Sequence, residues 1–350
     1  MRAVDDLIQL EQLTDQHLRD NNREEAVRAL YELIIGHAKR KNFAKAEELR
    51  ERLIQIDSMA LSEIITSAEI IEEEKKQSRP KDHMKTWESL YSLLSNEEAN
   101  ALYYSMKEGN TFGTDSIFRQ GQRNTNLYFL NEGQLIMICN QGEKEIALRM
   151  YRAGEIMGED TFFHDSLCTT SLRTFTRARY HYLEKDVLSK WTKEHPALEQ
   201  KIRGYCDRFE KVHDLLKRKG LDRRSDQRYR MPGKGIIQVL SNTGTPVGSP
   251  VKGDLADVSA KGLCFYIRLS KKETARLLLG RRLSLRFAVQ VDNASLQIDQ
   301  TGLVVAVLSH PFDDYTVHVR FDETLGKEVV ENLALLSART ASSRCKVTIH

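Results

Sequence analysis

The apolar residues of this chain change period along its length, which excludes a single uniform architecture. From Val4 to about Lys76 they recur at three and four: Leu7, Leu10, Leu13; Ala26, Ala29, Leu30, Leu33; Phe43, Ala46, Leu49, Leu53, Ile56. This is helix spacing, and no proline interrupts it before Pro80. Between Gly113 and Leu183 short strands take over: Asn126 to Leu130, Gln134 to Cys139, Glu145 to Met150 and Arg177 to Leu183, separated by turn residues at Gly121, Asn131-Glu132-Gly133, Asn140-Gln141-Gly142 and Ala153-Gly154. After Gly220 alternation returns at Gly235 to Leu240, Leu255 to Val258, Leu263 to Ile267, Leu283 to Val291, Gln300 to Leu308 and Tyr315 to Phe321, and an amphipathic helix closes the chain near Gly326 to Leu336.

At 350 residues the chain can bury two or three separate cores. The expected fold is multidomain α+β: a helical region over 1–80, a β-roll with flanking helices over 81–220, and a six-stranded β-barrel with a terminal helix over 221–350. Asn22 and Asn42 precede small-residue helix faces, which suits antiparallel hairpins. This packing weakly resembles tetratricopeptide repeats, although only part of a repeat stack is present. The run Glu72 to Pro80 reads as a hinge or exposed helix end, or equally as a solvated tail. A helix is expected from near Lys185, past His195-Pro196, to about Lys219. Leu198, Ile202, Tyr205, Phe209, Val212 and Leu216 mark a heptad seam on it, which fits either a homodimer through residues 197–219 or packing against the roll of the same chain.

The 53 Lys and Arg against 50 Asp and Glu leave a formal charge of +3, too small for a general nucleic-acid or membrane coat, so any anion site must be local. The chain lacks a run of about 18 apolar residues, and it opens with Val4-Asp5-Asp6 where a secretory signal would be basic and then apolar. A cytoplasmic location is expected. Cys139, Cys168, Cys206, Cys264 and Cys345 form no CxxC pair and have no histidine at metal spacing, so reduced thiols are expected, with neither disulfide, metal nor cofactor.

Ile117-Phe118-Arg119-Gln120-Gly121, Leu127 to Gly133 and Gly154-Glu155-Ile156-Met157-Gly158-Glu159 resemble the cyclic-nucleotide-binding domain family. The resemblance implies a phosphate-binding cassette that begins at Gly158-Glu159, whose carboxylate accepts from a ribose hydroxyl. Nine residues beyond that glutamate the family places an arginine on the cyclic phosphate. Here Cys168 stands at that position, followed by Thr169. A neutral thiol cannot make the forked, charge-assisted contact of a guanidinium, so the cassette is expected to be degenerate and not to bind a cyclic mononucleotide. Family members that regulate transcription carry a helix-turn-helix after this domain; the β-rich sequence here argues against DNA reading.

Arg223-Arg224-Ser225-Asp226-Gln227-Arg228 fits an RxxxR arm through Arg224 and Arg228, and Asp257-Val258-Ser259-Ala260-Lys261-Gly262 fits a D/N-x-S-x-x-G turn. Their order and separation resemble the PilZ family of cyclic di-GMP receptors over most of Arg223 to about Leu336. By that resemblance the arm folds over the ligand at the barrel mouth, and Arg223, Arg224, Arg228, Asp257, Ser259 and Gly262 bind it. The chemistry suits these residue types. Arginine both forks onto phosphate and stacks on a base. Asp257 offers an acceptor for the guanine N–H edge, Ser259 a hydroxyl, and Gly262 either a positive φ or a close backbone approach. Strand alternation puts Asp257 and Ser259 on one face and Val258 in the core.

The resulting expectation is a non-catalytic cyclic di-GMP receptor, since no G-x-S-x-G, Walker, HExxH, GGDEF, EAL or HD-GYP motif is present. Ordering the arm is expected to shift the barrel against the roll and the N-terminal helices, or to alter binding of a protein partner through those helices or the roll. The alternatives are an interaction scaffold, or a cyclic mononucleotide sensor acting through the middle domain.

Overall fold

The computed structural model describes residues 2–344 apart from 114, 222–225, 232, 270–271 and 292–293. Arg223 and Arg224 of the expected arm, and Cys345, lie outside the described residues. The chain divides into two compact units, Met1–Lys107 with Val187–Ile202, and Glu108–Asp186 with Arg203–His350. None of the described helices is long and apolar enough to cross a membrane.

The first unit contains α1 (Arg2–Arg19), α2 (Arg23–Lys39), α3 (Phe43–Ile56), α4 (Leu61–Ser78), α5 (Lys81–Thr86), α6 (Glu88–Tyr91) and α7 (Asn96–Ser105). The hairpin turns place Asn21 and Lys41 in the left-handed region, with Asn22 and Asn42 at the N-caps of α2 and α3. Leu30, Leu33, Ile34, Ala46, Leu49, Leu53 and Ile71 form the core, as the three-and-four spacing predicts. The charge run from Glu72 is neither hinge nor solvated tail. α4 continues through it to Ser78, the Lys75 Nζ donates to Glu47 and Glu72 at 2.9 Å, and the Asn100 Nδ2 donates to Glu72 at 2.8 Å. Pairing on both sides, not a breaker residue, decides the local structure.

In the second unit the roll is two four-stranded sheets, and a ninth strand from the same stretch of chain, Asp165–Ser166, pairs outside them. The strands are β1 (Lys107–Thr111), β2 (Ser116–Phe118), β3 (Asn126–Glu132), β4 (Gln134–Gln141), β5 (Lys144–Arg152) and β6 (Ile156–Met157), then, after the single turn of α8 (Glu159–Phe162), β7 (Asp165–Ser166), β8 (Ser171–Thr174) and β9 (Ala178–Glu184). The sheet orders are β1-β9-β3-β6 and β2-β8-β4-β5. The expected long helix is instead three: α9 (Val187–Glu194), which belongs to the first unit, α10 (Leu198–Cys206), which runs from the first unit into the second, and α11 (Val212–Arg218) in the second. Pro196 cannot supply the N–H a continuing helix needs, and residues 207–211 are not helical, so no continuous heptad seam exists. Val212, Leu215 and Leu216 of α11 are buried in the roll's own core with Met137, Cys168 and Leu172, which is the intramolecular packing.

The C-terminal part is a closed six-stranded barrel. After β10 (Tyr229–Arg230) come β11 (Lys234–Leu240), β12 (Pro246–Ser259), β13 (Gly262–Arg268), α12 (Lys272–Leu277), β14 (Arg282–Val291), β15 (Ala294–Ser309), β16 (Asp314–Phe321) and the terminal α13 (Lys327–Arg344). The order β12-β11-β14-β15-β16-β13 closes through a β12–β13 pairing. β10 adds to β12, and β7 of the roll adds to β15 through Ala306↔Ser166 and Val307↔Asp165. The Asp165 carboxylate also accepts from Lys185 at 2.7 Å and from Arg276 at 3.0 Å. Shared sheet hydrogen bonds and a half-buried ion-pair cluster join roll and barrel.

Candidate functional site

A cleft of about 650 Å³ opens where the barrel faces the β4–β5 turn of the roll. Arg228, Ser259, Lys261, Gly262, His318 and Arg320 line the barrel side; Gln120 and Asn140 to Gly142 line the roll side. Arg228 immediately precedes β10, whose register against β12 sets Tyr229 opposite Val258 and Arg230 opposite Asp257. That pairing brings the separated arm and turn together: the Arg228 Nη1 donates to the Asp257 Oδ1 at 3.2 Å. Lys261 pairs with Asp226 at 3.0 Å, and Arg320 is exposed with no ion pair among the described residues. The cleft therefore presents three cations, one of them uncompensated.

Each signature residue has a definite place. Val258 is fully buried in the barrel core, as the alternation predicts. Asp257 is not among the residues lining the cleft; its Oδ1 accepts from the Arg228 Nη1 at 3.2 Å, which ties it to a residue that does line it. The Ser259 hydroxyl is buried and donates to the Gly262 carbonyl at 3.3 Å, so it closes the turn while lining the cleft. Gly262 does not have a positive φ. A Cβ there would meet the Val319 carbonyl oxygen at 2.6 Å, so the glycine is required by the close approach of β16. Lys261, His318, Arg320, Asn140 and Gln141 went unrecognised in the sequence. Only the location of Lys261 inside the turn motif could have pointed to one of them.

The second cavity, about 630 Å³, lies at the segment that begins at Gly158-Glu159 and is lined by Glu159, Asp160, Phe163, His164, Thr169, Arg203, Lys211 and Leu216 among others. Gly158 sits at φ 88°, and a Cβ would meet the Asn126 carbonyl oxygen at 2.6 Å, so the turn into α8 accepts only glycine without strain. Buried Asn124 organises that turn by donating to the Asn126 carbonyl and the Thr161 hydroxyl at 2.8 and 2.9 Å. Cys168 is buried in the roll core, where burial pushes its thiol up to about 12, so it is a neutral core residue. Burial also pushes the Glu159 carboxyl up to about 7, with the Asp160 charge adding to it, and Asp160 up to about 6. Cys168 stands where the family carries arginine, and the cavity lining combines the acids Glu159 and Asp160 with the cations Arg203 and Lys211.

The raised Glu159 value has a measurable consequence. Its folded pKa exceeds the ordinary 4.5, so its contribution to stability is fully present below that pH and is lost as pH rises toward about 7. Glu159→Gln is expected to raise the melting temperature at pH 8 by a few degrees and to leave it unchanged near pH 4.5. Thermal melts of both proteins across that window check this; an equal shift at both pH values contradicts it.

Residues 113–195 match the family model described as the cyclic nucleotide-binding domain. Among solved structures, the chain is similar to the N-terminal domain of a transcriptional regulator from Streptomyces coelicolor A3(2), at 23% identity over 36% of this chain and 90% of that one, with a TM-score of 0.32. It is also similar to a cyclic nucleotide-binding domain from Methylobacillus flagellatus, at 17% identity over 39% of this chain and 78% of that one, with a TM-score of 0.33. No curated protein matches the chain. Residues 113–195, which match that family model, make up most of the two-sheet roll and include the glycine-led turn into α8.

Proposed function

We propose that this chain is a non-catalytic receptor for cyclic di-GMP, that its barrel is of the PilZ type, and that the ligand occupies the cleft beside Arg228. The observation that carries this reading is the convergence of Arg228, Lys261 and Arg320 on one cleft closed by the 257–262 turn. A dinucleotide with two phosphates needs localised cations, and guanidinium groups also stack on its bases. The output is carried by altered domain arrangement or by a protein partner engaged through the N-terminal helices or the roll.

The family match over 113–195 favours a second reading, a cyclic mononucleotide sensor. Cys168 in place of arginine, the acids at the head of α8 and the α11 side chains in the roll core oppose it. Calorimetric titration separates the two. Cyclic di-GMP is expected to give a saturable signal and cyclic AMP none, and Cys168→Arg is expected not to restore cyclic AMP binding because Val212, Leu215 and Leu216 still fill the core. A saturable signal with cyclic AMP alone would overturn the proposal.

A further inference from the structure

We infer that the roll supplies the second wall of the dinucleotide cleft, with Asn140 and Gln141, the last two residues of β4 beside the β4–β5 turn, reading the base edge of the ligand. This rests on the reading that the cleft takes cyclic di-GMP. The lining side chains divide by chemistry. Arg228, Lys261 and Arg320 only donate, whereas the guanine edge also presents N1–H and N2–H donors that need acceptors. Asp257, which does not line the cleft, accepts from Arg228 at 3.2 Å, and Asp226, which does line it, is ion-paired with Lys261 at 3.0 Å, so its charge is already matched by a cation. The Gln120 carbonyl oxygen is engaged too, accepting from the Asn140 backbone N–H at 2.7 Å. Asn140 and Gln141 are exposed, line the cleft, and have side-chain amides with no hydrogen bond among the described residues. Each offers one carbonyl acceptor and one NH₂ donor, which matches a purine edge that mixes both.

Position supports chemistry. The turn is clamped at its backbone, because the Gln120 Nε2 also donates to the Asn140 carbonyl at 3.2 Å and the Gln120 N–H donates to the Ser171 hydroxyl at 3.0 Å. A backbone already held in place has less freedom to lose on binding than a mobile one. The roll is fixed to the barrel by β7 on β15 and by the Arg276–Asp165 pair, so the turn faces Arg228 and Arg320 before any ligand arrives.

The test titrates the full chain with cyclic di-GMP and with cyclic di-AMP. N140A/Q141A is expected to weaken cyclic di-GMP binding about tenfold or more, as for two lost hydrogen-bonding amides, and to erase the preference for guanine over adenine, at an unchanged melting temperature. Lys144→Ala, on the same hairpin but outside the cleft, is expected to change neither. If N140A/Q141A binds within about twofold of the parent protein while Arg228→Ala has lost binding, the roll wall is overturned and the cleft stands. Failure of the parent protein to bind cyclic di-GMP overturns both.

Discussion

Arg228→Ala is expected to raise the Kd for cyclic di-GMP by about one to two orders of magnitude, the range for removing a charged hydrogen-bond partner from a ligand. The melting temperature is expected to stay nearly constant. The Arg228 and Asp257 side chains are 48% and 27% exposed, and a pair so open to water contributes only about 0–1 kcal/mol to the fold. Arg228→Lys keeps the charge but loses the planar fork, so its effect is expected to lie between parent and alanine. Asp257→Ala is expected to weaken binding as well, through the freed guanidinium. The two alanine losses are therefore expected not to add in the double variant, because each breaks the same arrangement. Calorimetry on the four proteins of this cycle measures the coupling. Full additivity would mean that Asp257 contacts the ligand independently, and undiminished binding by Arg228→Ala would remove the cation on which the proposed site depends.

Five of the six barrel strands were legible because alternation over five or more residues leaves a period that packing has to obey, whereas Leu255 to Val258 caught only the end of Pro246–Ser259. Leu263 to Ile267 became Gly262–Arg268, and Gln300 to Leu308 lies inside Ala294–Ser309. The strands that went unread are β1, β2, β6, β7, β8 and β10, most of them of two to four residues, too short to show any period. The heptad seam misled for a related reason. Leu198, Ile202, Tyr205, Val212 and Leu216 are all buried, as the spacing requires, but three short helices can bury one residue per turn as readily as one long helix.

The site divided along the same line. Arg228 and Asp257 were legible because a motif with fixed spacing carries them. Arg320, Asn140 and Gln141 are single residues whose importance comes only from the register that sets β16 against β13 and from the joining of roll and barrel. β7 illustrates the limit. It is a two-residue segment inside the region where the domain family carries its phosphate-binding arginine, and here it serves as an added strand on the barrel. The segment leading to Cys168 is thereby committed to β15, with the Leu167 N–H donating to the Val305 carbonyl at 2.9 Å.

Gly262→Ala is expected to act on the fold first and on the ligand second, the reverse of Arg228→Ala. The new Cβ would stand 2.6 Å from the Val319 carbonyl oxygen, a backbone atom that cannot rotate away, with the Arg320 Cα 3.7 Å off. Relief requires β13 and β16 to move apart, and overpacking of this kind costs about 1–3 kcal/mol. The melting temperature is expected to fall by several degrees. Since Gly262 pairs directly with Arg320, the same displacement shifts a cation of the cleft, and affinity is expected to fall with stability. A melt and a cyclic di-GMP titration on this one variant separate the roles. Affinity lost at full stability would place Gly262 against the ligand. Stability lost together with affinity would mean that the turn signature joins a half that contacts the ligand to a half that makes the fold, and that Gly262 belongs to the second.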